Sequence, residues 1–177
     1  MTVHQLSVFI ENKSGTLVKV LRLLKQENIQ LIASTIADTA DYGICRIICS
    51  EPTKAYNVLK DAGVAVSLCD VFAIELDDAP GRAADAIGIF AEEGISIAYL
   101  YSFLLNGKGV LIFRTDNPDR AREIITMNGL KFIVEKDVIL LQKISQQGVL
   151  LPGDVGSRKG RGPTKVGRIT WQEHSLL

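Results

Sequence analysis

The sequence predicts an α+β fold made of two tandem copies of one βαββαβ unit. Three observations lead to this prediction. The chain repeats itself at an offset of 66 residues: when 4–76 is aligned with 70–142, the seven identical pairs include three glycine pairs and one proline pair. Apolar residues alternate in some segments, as in half-buried strands, and recur every three or four residues in others, as in amphipathic helices. Both copies place these segments in the same order.

The first half of each unit is a strand, a polar break and a helix. Leu6, Val8 and Ile10 alternate with other residues, which indicates a strand over 5–10. After a polar break at 11–15 an apolar stripe of helical period begins, and it stops at Asn28. The second copy has Gly94 at this place. Asn and Gly best tolerate the left-handed backbone just past a helix end, so the exchange preserves a helix stop.

The second half of each unit is a strand pair and a second helix. The strands are expected at 29–35 with 44–49, and at 95–104 with 110–114, joined by turns at 38–41 and 106–109. The second helices begin with a proline, Pro52 or Pro118, and end before a glycine, Gly63 or Gly129. Asn117 is the expected N-cap of the later one.

The closing strand of each unit can be placed in two ways. Segments 71–76 and 138–142 both have strand character, but 71–76 aligns with the first strand of one copy as well as with the last strand of the other. Either 71–76 ends one unit and begins the next, or short strands at 64–68 and 130–134 close the units separately. We favour a strand shared or swapped between the halves, which would make them inseparable.

Composition and charge narrow the class of protein. A hydrophobic content of 47% and a charged content of 23% are typical of a globular protein. The formal charge of zero divides into +3 for residues 144–177 and −3 for the rest, and an acidic body argues against nucleic acid as a partner. The N-terminus lacks the features of a signal peptide, and no apolar run reaches the length of a membrane span. We therefore expect a cytoplasmic protein that does not contact membranes.

The segment 144–177 is basic, glycine-rich and without periodicity, which predicts disorder. An alternative is contact of Arg158, Lys159 and Arg161 with nucleic acid or a membrane surface.

Catalytic and metal-binding motifs are missing from the sequence. There is no glycine-rich nucleotide loop, no nucleophile elbow and no zinc-protease motif. Three cysteines lie in apolar strand-like runs, which predicts buried, reduced thiols, and two histidines are too few for a metal site. We therefore expect a protein that is not an enzyme and holds neither cofactor nor metal. Asp77 and Asp78 are interpreted as acidic residues at a helix N-terminus, with a catalytic carboxylate pair as the alternative.

The first strand–helix loops are the best candidates for a ligand site. Unpaired N–H groups and the helix dipole at a helix N-terminus favour an anion, and a glycine lets a ligand approach the backbone. Loop N–H groups would hold an α-carboxylate, and Asn12 or Asp78 would accept from the ammonium group. Plain helix capping is the alternative interpretation. The candidate residues are Asn12, Lys13, Ser14 and Gly15 in the first copy, and Asp78, Ala79, Pro80 and Gly81 in the second.

Three aromatic residues, Tyr99, Tyr101 and Phe103, fall on one face of a predicted strand. Such a stripe is typical of a packed interface, and a ligand pocket is the alternative.

The unit order is that of the split βαβ, or ferredoxin-like, fold. The motifs Asp78-Ala-Pro-Gly81 and 92–97 (EEGISI), with a looser match at 12–17 (NKSGTL), resemble the ACT domain over about residues 3–143. The resemblance implies two ferredoxin-like ACT units, 1–69 and 70–143, that form a pseudo-dimer with antiparallel sheets and helices on one face. The segment 144–177 would follow as a tail.

ACT domains generally bind amino acids between the glycine loop of one unit and the second strand of another. The resemblance thus implies contacts from the loop residues above and from the strand positions Gln30 and Ser96. It further implies a non-enzymatic regulatory module that acts on a partner in trans, either as a homodimer or on a regulated enzyme. If one cleft alone is occupied, we expect the one at Gly81. The alternatives are a structural or interaction module without ligand, an RNA-binding domain, and an enzyme on the same fold.

Overall fold

The computed structural model of the chain describes residues 1–38, 41–77, 79–105 and 108–146. Six strands and five helices are defined in these ranges, and their order confirms the predicted α+β class. The strands are β1 (Thr2–Glu11), β2 (Leu31–Asp38), β3 (Tyr42–Cys49), β4 (Val66–Leu76), β5 (Ile97–Leu105) and β6 (Lys108–Thr115). The helices are α1 (Thr16–Gln26), α2 (Pro52–Asp61), α3 (Arg82–Glu92), α4 (Pro118–Met127) and α5 (Glu135–Gln146).

The six strands form one antiparallel sheet in the order β2-β3-β1-β4-β6-β5. β4 belongs to both halves: Val66–Phe72 pairs with β1, and Phe72–Leu76 pairs with β6. The structure combines both expected placements: residues 71–76 begin the second unit as we favoured, and the part of the same strand that closes the first unit overlaps the alternative segment 64–68. The order β2-β3-β1-β4 is that of the ferredoxin-like unit, and the sheet has one central strand that serves two units.

The two halves repeat in register as well as in element order. Leu6 pairs with Ile47, and the residues 66 positions later, Phe72 and Phe113, pair in the same way. The β-bulges of the two hairpins also coincide, between Leu31 and Ala33 and between Ile97 and Tyr99. Conservation of a bulge shows that the repeat extends to irregular backbone.

The predicted helix ends are confirmed by backbone geometry. Asn28 has a φ of 54° and its repeat partner Gly94 a φ of 70°, so both are left-handed. The Asn117 side chain accepts from the Arg120 N–H at 3.1 Å and caps α4.

Two apolar cores lie between the sheet and helices α1–α4. Leu24 of α1 and Leu59 of α2 pack on Leu6 and Ile47 in the first half. The second half repeats this arrangement around Phe90 of α3, where the ring centroids of Phe90 and Phe113 lie 4.9 Å apart.

The opposite face of the sheet has a third core, and α5 packs there. Val138 of α5 is buried together with Val3 of β1 and Ile48 of β3. The predicted strand at 138–142 is therefore wrong, since this segment is helical. A short apolar run does not by itself distinguish a strand from a buried helix.

The reason for the helix is a competition for one edge of β4. Phe132 forms an antiparallel bridge to Ile74, which is the repeat equivalent of the pair formed by Val66 and Val8. Beyond this bridge the edge of β4 is occupied by β1, which begins with the pairing of Thr2 and Phe72. The chain after Phe132 cannot extend along β4 and forms α5 instead.

Several expectations lie outside the described residues or stay untested. The hairpin tips at 39–40 and 106–107, residue Asp78 and the tail from 147 onward are not among the described residues. The division into 1–69, 70–143 and 144–177 stays a prediction. Within the described ranges, no helix is both long and apolar enough to cross a membrane.

Candidate functional site

The first strand–helix loops present two helix N-termini without side-chain caps. Gly15 precedes α1 with a φ of 90°, and Gly81 precedes α3 with a φ of 88°. The N-cap residue at each position is a glycine, which brings no capping side chain of its own, in contrast to Asn117 at α4. The Thr16 N–H donates to the Lys13 carbonyl at 3.3 Å and the Arg82 N–H to the Ala79 carbonyl at 3.5 Å, so the N–H groups that follow them in the first turn are the ones that an anion would contact.

Glycine is favoured at both positions because of the backbone conformation, and not because neighbouring atoms would clash with a side chain. A Cβ built on Gly15 or Gly81 would meet no heavy atom within 4 Å. The left-handed φ is the feature that disfavours a side chain there. Both residues are exposed, so the loops leave room for a small ligand beside the helix N-terminus.

The loop of the first copy borders two grooves, and the adjoining helix α1 adds positive charge to them. One groove of about 460 Å³ runs from Ser14 and Gly15 along α1 past Lys19 and Arg22. A second, of about 410 Å³, lies between the end of β1 and α1, and Lys19 lines it as well. Lys13 forms an ion pair with Glu11 at 2.7 Å, and this hydrogen bond and its charge raise the pKa of Lys13.

The loop of the second copy borders a smaller groove of about 140 Å³ at the repeat-equivalent place. Arg82 stands there, and it pairs with Asp77 at 2.9 Å and with Asp85 at 3.3 Å. Ala79 and Pro80 are exposed in the same loop. The two copies therefore share the loop backbone but differ in the size and charge of the adjoining groove.

The strand candidates Gln30 and Ser96 lie at the far end of their own units. β1 and β2 run parallel because each is antiparallel to β3, so Gln30 precedes β2 at the end opposite the Gly15 loop. The eight residues of β2 span about 26 Å. Gln30 N–H donates to Ser50 Oγ at 3.1 Å, and Ser96 is placed equivalently, with its carbonyl accepting from Asp116. Neither residue lines the loop grooves.

A buried polar network on the opposite face of the sheet was missed by sequence reasoning. Gln5 is fully buried, and its Nε2 donates to Tyr99 Oη at 2.8 Å while Tyr101 Oη donates to its Oε1 at 2.9 Å. β4 and β6 lie between β1 and β5, so these contacts require the sheet to curl. The aromatic stripe is thus packed, as predicted. Burial raises the pKa of Tyr99 and of Tyr101 above the ordinary tyrosine range.

Arg46 completes this network without an ion pair among the described residues. Its guanidinium lies 3.9 Å from the centre of the Tyr99 ring, and its Nε is buried without a hydrogen-bond partner. The three cysteines are free thiols, with Cys45 and Cys49 buried and Cys69 half-buried beside Gln5. The described side chains form no cluster of three or more His, Cys, Asp or Glu suited to a metal ion.

Comparison with known proteins agrees with this geometry. The family model of the ACT domain pair matches residues 1–142. The crystal structure of protein BT0572 from Bacteroides thetaiotaomicron is 40% identical, covers 78% of this chain and 96% of that chain, and superposes with a TM-score of 0.75. The ligand-free regulatory subunit of aspartate kinase from Thermus thermophilus shares the fold at 13% identity, with coverage of 71% and 91% and a TM-score of 0.52. No curated protein matches the chain significantly. Because the family model spans the whole repeated region, the chain belongs to the family of ACT domain pairs.

Proposed function

We propose that this chain is a non-enzymatic regulatory module that binds a small amino acid at the first strand–helix loops and acts on a partner in trans. The observation that carries the proposal is the pair of helix N-termini at Gly15 and Gly81, each with an exposed, left-handed glycine as its N-cap residue. Such N–H groups favour a carboxylate. The fold shared with the regulatory subunit of aspartate kinase supports a regulatory role.

Groove size and charge favour the loop of the first copy for a carboxylate. In the first copy, Lys19 lines both grooves, Arg22 lines one and Glu11 the other. In the second copy, the smaller groove has three carboxylates, Glu75, Asp77 and Asp85, against one cation, Arg82. Opposite charge attracts the ligand carboxylate and like charge repels it. The expectation that the Gly81 cleft is the occupied one stays a prediction, and this difference between the copies argues against it.

In this proposal the ligand lies between the glycine loop of one unit and the second strand of another, and a second chain is needed to bring these two together. β2 and β5 are the two edges of the sheet, and β3 and β1 separate β2 from β4, which leads to the Gly81 loop. Gln30 and Ser96 adjoin the open edges, where a second copy could bring its own loop next to them. A homodimer is therefore the arrangement that we propose for ligand binding.

The test is thermal stabilisation by each standard L-amino acid, followed by titration calorimetry with those that stabilise. Gly15→Ala and Gly81→Ala form a matched pair, since both have nearly the same φ and open space around Cβ. Gly129→Ala, with a φ of 61° and no neighbour within 4 Å, is the control for backbone strain alone. We expect ligand affinity to fall in at least one loop variant and to be kept in Gly129→Ala.

The alternative is a structural or interaction module without ligand. Leu100 and Leu104 on the edge strand β5 are 49% and 75% exposed, which is typical of a surface that pairs with another protein. If no amino acid stabilises the folded protein, this alternative replaces the regulatory proposal.

A further inference from the structure

The pseudo-twofold axis between the halves passes through the pair formed by His4 and Asp70. These residues are 66 positions apart and lie directly opposite each other in the pairing of β1 with β4. The His4 N–H donates to Glu135 Oε2 at 3.1 Å, so it points away from β4. Directly opposite residues in an antiparallel pair exchange either both backbone hydrogen bonds or neither. The Asp70 N–H therefore points away from β1, toward the other side of β4.

On the side of β1 that faces away from β4, the backbone at His4 has no strand partner and is covered by another segment of the chain. β3 pairs with β1 from Leu6 onward, which leaves the edge beside His4 free of strand partners. The first turn of α5 lies there, and the Glu135 carboxylate contacts both the N–H and Nδ1 of His4. The first copy thus shows that this kind of edge receives a carboxylate.

On the β4 side, the equivalent edge borders an open groove of about 430 Å³, within the range of about 300–1,000 Å³ found for ligand sites. β6 pairs with β4 from Phe72 onward, so Asp70 has no strand partner on this side. The groove is formed by the end of β6, the start of α4 and the edge of β4. Its charged lining residues are Asp70, Arg114, Asp116 and Arg122.

The charged residues of the groove occur in the open copy and not in the covered one. Arg114, Asp116 and Arg122 stand where the first copy has Ile48, Ser50 and Tyr56. Arg122 pairs with Asp119 at 2.7 Å, but Arg114 has no ion pair to a described residue. The groove thus has two guanidinium groups, of Arg114 and Arg122, and two carboxylates, of Asp70 and Asp116. Such a set can pair with a ligand that carries one negative and one positive group.

We propose that this groove is a second binding site, which takes a zwitterionic α-amino acid. The ligand carboxylate accepts from the Asp70 N–H and from Arg114, in the role that Glu135 has beside His4. The ligand ammonium group is held by the side-chain carboxylate of Asp116, whose Oδ1 also accepts from Thr115 Oγ1 at 3.2 Å, or by that of Asp70, whose Oδ1 lies 3.7 Å from His4 Nε2. This site is separate from the strand–helix loops and does not depend on them.

The test uses the standard L-amino acids as probes and follows both affinity and the backbone amide resonance of Asp70 by ¹⁵N NMR. Arg114→Ala should weaken binding about ten- to hundred-fold, as expected for loss of a charge-assisted contact. Asp70→Asn is the second variant, because it removes one candidate partner of the ammonium group. Lys25→Ala removes one positive charge from the exposed end of α1 and is the matched control.

A shift of the Asp70 amide on titration, together with weaker binding by Arg114→Ala and not by Lys25→Ala, supports the proposal. An amino acid whose binding is lost in Gly15→Ala or Gly81→Ala but unchanged in Arg114→Ala overturns it and leaves the loop site standing. Binding lost only in Arg114→Ala supports the groove and counts against the loops. If no amino acid binds, both sites are overturned.

Discussion

Replacement of Tyr101 by phenylalanine tests whether the network at Gln5 holds the curled sheet. The Tyr101 hydroxyl donates to Gln5 Oε1 at 2.9 Å, and Gln5 has no exposed surface. The variant keeps the ring but leaves a buried acceptor without its donor. Such a group costs about 1–3 kcal/mol. At about 2–4 °C per kcal/mol for a chain of this size, the midpoint of 2 kcal/mol lowers Tm by about 4–8 °C.

Urea unfolding and thermal unfolding provide the measurement. Tyr56→Phe is the matched control, since Tyr56 is half-buried in the first core and its hydroxyl forms no hydrogen bond to the part of the chain that the structure describes. We expect that control to stay within about 0.5 kcal/mol of the unchanged protein. In a double-mutant cycle, Gln5→Leu should make the loss from Tyr101→Phe smaller, because the acceptor is then gone. The reasoning is refuted if Tyr101→Phe is as stable as Tyr56→Phe.

Three further predictions concern the helix end, the thiols and alkaline pH. Asn28→Gly should raise the free energy of unfolding by up to about 1 kcal/mol in urea, because its φ of 54° is easier for glycine, and Gly94→Ala should lower it. Maleimide labelling followed by mass spectrometry should modify Cys69 first, since burial raises the pKa of Cys45 and brings that of Cys49 to about 11; equal rates at all three thiols would contradict this. The raised pKa of Cys49 means that the folded state holds this proton more tightly than the unfolded state. The stability that the protonated Cys49 thiol contributes should be complete below pH 9 and lost as the pH rises from 9 to about 11. In Cys49→Ala, the free energy of unfolding should no longer show this part of the decrease with pH.

The repeated backbone was predictable because its signals are local. Gly15 and Gly81, or Asn28 and Gly94, are residues whose backbone requirement can be read from the residue type and its place after a helical or strand pattern. Because the chain repeats at an offset of 66 residues, each of these signals occurs twice and the two copies support the same assignment. The positions of α1–α4, β1–β3, β5 and β6 follow from such signals, whereas the sequence left the placement of β4 open.

The features that were missed depend on contacts between distant segments. Val138 belongs to a run that suits a strand, and α5 forms because β1 occupies the edge of β4 that this run would need. The contact of Gln5 with Tyr99 requires the curl of the sheet across two intervening strands. The contact of Gln30 with the loop of another unit, which the resemblance implies, stays a prediction; the parallel course of β1 and β2 places Gln30 at the end opposite the loop of its own unit.

The shared strand gives the two halves a physical means of communication. Val66–Phe72 of β4 completes the sheet of the first half, and the same strand continues through Leu76 directly into the Gly81 loop. A ligand at that loop, or at the groove beside Asp70, therefore contacts a strand that the first half cannot lose without opening its own sheet. A ligand shifts a conformational equilibrium only when it binds the two states unequally. Because β4 is common to both halves and Phe72 pairs with β1 as well as with β6, we expect a ligand that prefers one arrangement of β4 in one half to bias the pairing of β1 in the other.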